Sequence, residues 1–202
     1  MNAIKKRSFL KGGVIAMVFI SLFACEEEVT PKPSAFLRLD YPEAIYQTEE
    51  VDAPFSFDRN QLAENVTIKT LKAPTRSYGV NIDYPKLKGT IYLTYKDVEG
   101  NKDYLKNYLI DAQNFTQEHT KKADAIAGEV YENKAKNVYG MYYEVNGDAA
   151  SQAQFYATDS TSHFLVGSLY FYAKPNYDSI YPAAKYLQKD IKRLMESITW
   201  KD

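Results

Sequence analysis

Residues 138–173 read VYGMYYEVNGDAASQAQFYATDSTSHFLVGSLYFYA, and the fold turns on how this stretch is punctuated. Val138 to Val145 has the Tyr and Val content of a strand. It is closed by Asn146-Gly147, a dipeptide that suits a tight hairpin because both residues tolerate positive φ. Ser151 to Thr158 then pairs back. The polar run Thr158 to Ser162 forms a second turn, and His163 to Ala173 is apolar on both sides. In that last segment Leu165, Leu169 and Phe171 point one way, while Phe164, Val166, Tyr170 and Tyr172 point the other. A strand with two apolar faces is covered twice, so it sits centrally. Links of hairpin length require antiparallel neighbours.

Outward from this stretch, the flanking segments supply the covering layers. After a loop at 174–179, Ile180, Ala184, Leu187, Ile191, Leu194 and Ile198 form an apolar stripe at helical spacing. Asp178 or Ser179 is placed to cap that helix, with Pro182 in its first turn. Trp200 is expected to pack just beyond its end. Upstream, Ile126 to Tyr131 reads as a strand. Tyr104, Leu105, Tyr108, Leu109, Ala112 and Phe115 predict a helix ending near Lys122. Asp97 to Asn101 is a turn. Leu87 to Tyr95 alternates, with Leu87, Gly89, Ile91, Leu93 and Tyr95 on one side. Two further strands are expected at Tyr78–Ile82 and around Val66, Ile68 and Leu71. Residues 35–65 lack clear periodicity. Phe36, Leu37 and Leu39 suggest a short strand, and Pro54-Phe55-Ser56-Phe57 an apolar island docked on the domain. The expected class is α+β: an antiparallel β-sheet flanked by helices, with a long C-terminal helix.

The N-terminus reads as an address. Lys5, Lys6 and Arg7 precede a short apolar run, Val14 to Ala24, which falls well below the roughly 20 residues of a membrane span. This is the pattern of an export signal. Leu22-Phe23-Ala24 before Cys25 matches the bacterial lipobox, with Phe23 bulkier than usual. Residues 1–24 are therefore expected to be a lipoprotein signal peptide. Cys25 is then the lipid attachment site, its thiol forming a thioether to diacylglycerol and its freed amine taking a further acyl chain such as palmitate. Several chains anchor firmly, each buried CH₂ adding about 0.8 kcal/mol. Residues 25–34, with Pro31 and Pro33, read as the lipidated end and an extended tether. Residues 35–202 then make a single α+β domain.

Composition narrows the chemistry. The first 24 residues hold four basic side chains and no acid, so the remainder carries a formal charge of −5, against −1 for the whole chain. A mildly acidic protein gains nothing from counterion release at a phosphate backbone, so nucleic acid is not an expected partner. One cysteine rules out a disulfide within the chain. Two histidines, His119 and His163, and an acylated thiol are a poor donor set for zinc, and no phosphate-cradling loop is present, so no metal or cofactor is expected. Asp159, Ser160 and His163 hold the residue types of a catalytic triad, but a triad is a geometry and not a run of neighbours. No catalytic residues are expected. Loops on a rigid sheet are common places for partner contacts. This makes Asn146, Gln152, Asp159, Ser160, His163, Asn176 and Asp178 candidate contact residues. If the late strands are antiparallel, the turns at 146–150 and 158–162 lie at opposite ends, which argues against a single patch. All seven also read simply as turn chemistry.

Pro31-Lys32-Pro33 with Leu37-Arg38-Leu39-Asp40-Tyr41-Pro42, just after Cys25, resembles the start of the GldD lipoproteins of the gliding-motility apparatus of Bacteroidota. The stretches Gly147 to Ser160 and His163 to Phe171, followed by Pro175-Asn176 and Asp178-Ser179-Ile180, resemble the same family. The resemblance spans essentially the whole chain after Cys25. It implies a non-catalytic, lipid-anchored cell-envelope protein with envelope partners in gliding and the coupled type IX secretion machinery. It also implies a sheet between helical layers like the PsbP-like fold. Glu26-Glu27-Glu28 resembles surface-export signals of Bacteroidota lipoproteins, and reads equally as a solvated spacer. The outer membrane is expected, with the leaflet open. A second reading is a small-ligand or glycan-binding lipoprotein, which an aromatic pocket with convergent polar groups would favour. A third is an enzyme with two carboxyls sharing a cleft.

Overall fold

A computed structural model describes residues 39–120, 122–172 and 177–201. The strands are β1 (Tyr46–Glu50), β2 (Phe55–Asn60), β3 (Asn65–Thr70), β4 (Ser77–Tyr84) and β5 (Gly89–Asp97). Helix α1 (Lys102–Thr120) follows, then β6 (Ala125–Asn133), β7 (Val138–Asn146), β8 (Ser151–Thr158) and β9 (His163–Phe171). The long helix α2 (Tyr177–Ser197) and the short β10 (Thr199–Trp200) close the chain. The quoted stretch is therefore three consecutive strands. They belong to a seven-stranded antiparallel sheet in the order β3-β4-β5-β9-β8-β7-β6, with β9 at its centre.

Register assigns every side chain to a face. Ile91 lies opposite Leu169 and Tyr95 opposite Leu165. These residues point toward α2, whose Ala184, Leu187, Ile191 and Leu194 are all buried. Each large aliphatic side chain taken fully from water there contributes about 1.5–3 kcal/mol. Gly167 shares this face, directly opposite Phe155. A Cβ on Gly167 would stand 2.1 Å from a ring carbon of Phe155, so the missing side chain is what lets that ring lie flat on the sheet. On the other face, Phe164 and Tyr156 stack at 6.0 Å and pack with Val98 against Tyr108 and Ala112 of α1. Asn101 caps α1, its Oδ1 accepting from the amides of Asp103 (2.8 Å) and Tyr104 (3.4 Å).

Four features depart from the sequence reading. First, there are two sheets, not one: β1, β2 and β10 form a second, three-stranded antiparallel sheet. Its β2 brings Phe55 onto Tyr95 at 5.8 Å, so the apolar island is a strand of the core. Leu39 is irregular and 48% exposed, not strand, while Phe36 and Leu37 lie outside the described residues. Second, Leu87 ends a single 3-10 turn, Pro85–Leu87, instead of opening β5. Third, Phe115 of α1 is 38% exposed, and the buried position on that turn is Thr116, bonded to Ala112 and Gln154. Fourth, α2 begins before its expected caps. Tyr177 donates its amide to Asp148 at 2.8 Å, so the cap comes from the β7–β8 loop, and Pro182 falls inside the helix.

Buried polar groups join the layers. Asp190 of α2 accepts from the Tyr46 hydroxyl at 2.7 Å and the Asn60 amide at 2.8 Å, tying the small sheet to the helix. Gln188 reaches the Gln152 carbonyl at 2.9 Å, and Tyr142 donates to the Gln188 carbonyl at 3.1 Å. Among the described residues, no helix is long and apolar enough to cross a membrane.

Candidate functional site

The seven candidate contact residues do not converge. Strands of eight or nine residues are about 25–30 Å long, and the turns at 146–150 and 158–162 occupy opposite ends. At one end Asn146 is built into a network. Its Oδ1 accepts from the Tyr177 hydroxyl at 2.6 Å and from Lys185 at 3.2 Å, and Lys185 also pairs with Glu144. Gln152 is 1% exposed, with its amide donating to the Gly147 and Ala149 carbonyls, so its side chain holds the turn and is not offered at the surface. Asp178 is exposed and lines a small hollow of about 230 Å³ with Asp124, Asp148 and Tyr177. Asn176 lies outside the described residues, as does Cys25.

Asp159, Ser160 and His163 share the other end. Burial on its own would raise the Asp159 carboxyl. The amides of His163, Thr161 and Ser162, at 2.8–3.0 Å, outweigh burial and hold it below the ordinary carboxylate range. Ser160 takes a left-handed conformation at φ 69° and donates its amide to the Thr158 hydroxyl. The His163 ring shares a 2.8 Å hydrogen bond with the Tyr95 hydroxyl through Nδ1 and stacks on Trp200, centroids 5.0 Å apart and planes 8° apart. Asp159 and Ser160 here do the work of a turn, and His163 joins the two sheets.

The sequence reading missed a third place, a cleft on the α1 side of the large sheet. Between α1 and the adjacent strands β5 and β9, an open hollow of about 300 Å³ is lined by Tyr92, Thr94, Phe115, Ser168 and Tyr170. Lys96 closes one end, paired with Asp111 at 3.7 Å and lying 4.5 Å over the Tyr108 ring. Tyr170 meets Tyr92 edge-on at 5.7 Å. The Tyr92 hydroxyl shares a hydrogen bond with that of Tyr172 at 3.3 Å; this contact, and then burial, push its pKa up to about 12, so it stays neutral. The signal was present in the sequence: Thr90, Tyr92, Thr94 and Lys96 alternate with the apolar side of β5 that defined the strand. Nothing in the sequence reveals that α1 leaves Tyr92, Thr94 and Lys96 partly open while Thr90 is buried. Among the described residues, no group of three or more His, Cys, Asp or Glu is placed to hold a metal ion.

The family model for gliding motility lipoprotein GldD matches residues 26–200. No curated protein and no solved structure matches the chain. With the match running from the residue after Cys25 to Trp200 at the end of the small sheet, the chain belongs to the GldD family of gliding motility lipoproteins.

Proposed function

We propose that this protein is a non-catalytic accessory or assembly component of the gliding and type IX secretion machinery. It is held at the outer membrane by lipid on Cys25 and acts by docking to envelope partners. The family match over residues 26–200 carries this reading. The matched span opens at Glu26, one residue past the cysteine; in this reading residues 1–24 are a removed signal peptide and Cys25 bears palmitate. A seven-stranded antiparallel sheet with a helix on each face, one of them the long C-terminal helix, supports the PsbP-like description of the fold. Fold likeness alone does not fix a role.

The test is a clean deletion in the source bacterium, scored for gliding and type IX-dependent secretion together. The expected result is loss of both, restored by the wild-type gene and not by Cys25→Ala. Normal gliding and normal secretion in the deletion strain would overturn the reading. Loss of gliding with intact secretion would confine the role to motility. A Cys25→Ala protein still retained by a normal acyl anchor would refute lipidation at that residue.

A further inference from the structure

The cleft on the α1 face has the chemistry of a binding site. Register places Tyr92 directly opposite Ser168 and Thr94 opposite Val166, all on the face that carries α1. Going outward from Tyr92, the same row continues through Asn81 of β4 to Thr67 of β3. The floor of the cleft itself mixes half-exposed tyrosine rings with the hydroxyl groups of Thr94 and Ser168. The Thr94 and Ser168 hydroxyls have no hydrogen-bond partner among the described residues, although Ser168 is only 5% exposed. A hydroxyl so enclosed, with its remaining opening toward a cleft, gains from a ligand that bonds to it. Deeper in the same row, Gln154 bonds Thr116 through its Oε1 while its buried Nε2 is unpartnered.

We propose that this cleft binds a neutral saccharide, one or two sugar rings of a longer chain lying across Tyr92 and Tyr170. A pyranose presents an apolar C–H face and a belt of hydroxyls. Tyrosine rings interleaved with Thr94 and Ser168 match both, since each ring offers an apolar body and a polar tip. The volume of about 300 Å³ is at the small end of ligand pockets, and its openness suits a chain that enters and leaves. Charge argues for neutrality: Lys96 is already paired with Asp111. An acyl chain would strand the two hydroxyls against hydrocarbon, which costs free energy. The cleft and the gliding role are separable, because binding is read on purified protein and gliding on cells.

The test is titration of the full-length protein, purified in detergent, with chitotetraose and separately with cellotetraose, followed by calorimetry. Saturable binding of either is expected, in the roughly micromolar to millimolar range. Tyr92→Ala should weaken it about tenfold or more, and Ser168→Ala about three- to tenfold. Tyr139→Ala, on the same face beyond α1, should leave affinity and melting temperature unchanged. Capture of chitotetraose alone assigns the site to N-acetylated wall-type glycan, and of cellotetraose alone to unacetylated glucan; both outcomes support the proposal. Failure of both sugars to bind would overturn it. So would binding that persists unchanged in Tyr92→Ala and Ser168→Ala variants whose thermal melts match the wild type.

Discussion

Two carboxylates, Asp159 half-buried and Asp190 buried, show how local partners decide the sign of a pH effect. Asp159 is held below its ordinary range by the backbone amides of its own turn, which outweigh burial. Its folded pKa is depressed, so its contribution is present above about pH 4, the unfolded value, and is lost as pH falls through the folded value. Asp190 is the reverse. Burial raises its pKa, and bonds from Tyr46 and Asn60 offset only part of that rise. Its contribution is full below the unfolded value and fades as pH rises through the folded one. Two variants check this in pH-dependent thermal melts. The loss caused by Asp159→Ala, about 1–3 kcal/mol at neutral pH, should vanish on acidification. The loss caused by Asp190→Ala should grow on acidification. Parallel curves for both variants would show that neither carboxyl titrates as its surroundings dictate.

At the scale of the element, α2 is fixed by one apolar stripe and one borrowed cap. Leu187 is fully buried between α2 and the sheet. Leu187→Asp should place an unpaired charge in that layer and cost several kcal/mol, enough to remove the cooperative thermal transition. The cap makes a finer test. Asp148, 29 positions upstream of Tyr177, accepts the first helical amide, whereas Asp178 stays exposed in the first turn. Asp148→Ala should cost about 1 kcal/mol, and Asp178→Ala only the few tenths expected of a dipole contact. Equal losses, read from denaturant midpoints, would restore the sequence-local cap.

For the molecule as a whole, the joint between the two sheets is the feature to probe. Trp200 of β10 pairs with Phe55 of β2, stacks on His163 of β9, and donates its indole N–H to the Asn137 carbonyl at 3.0 Å. One side chain thus links the small sheet to the central strand of the large one. Trp200→Ala should cost about 2–4 kcal/mol and raise amide exchange selectively in β1 and β2, leaving β8 and β9 protected. Uniform loss of protection across both sheets would show that they unfold as one unit.

The sequence by itself determined the late strands, the two helices and the centrality of His163–Phe171, because alternation, helical spacing and Asn-Gly turn chemistry act over a few residues. It also carried the family, through ordered stretches from Pro31 to Ile180. Tertiary structure alone decided the rest. The pairing of Phe55–Asn60 with Thr199–Trp200 joins segments about 140 positions apart, and a two-residue strand has no periodicity of its own. The cap at Asp148 and the burial of Gln152 likewise depend on which loops meet at one end of the sheet. The cleft exists because α1 covers only part of its face: β5 shows which residues point outward, and only the placement of a helix on that face decides which of them remain open.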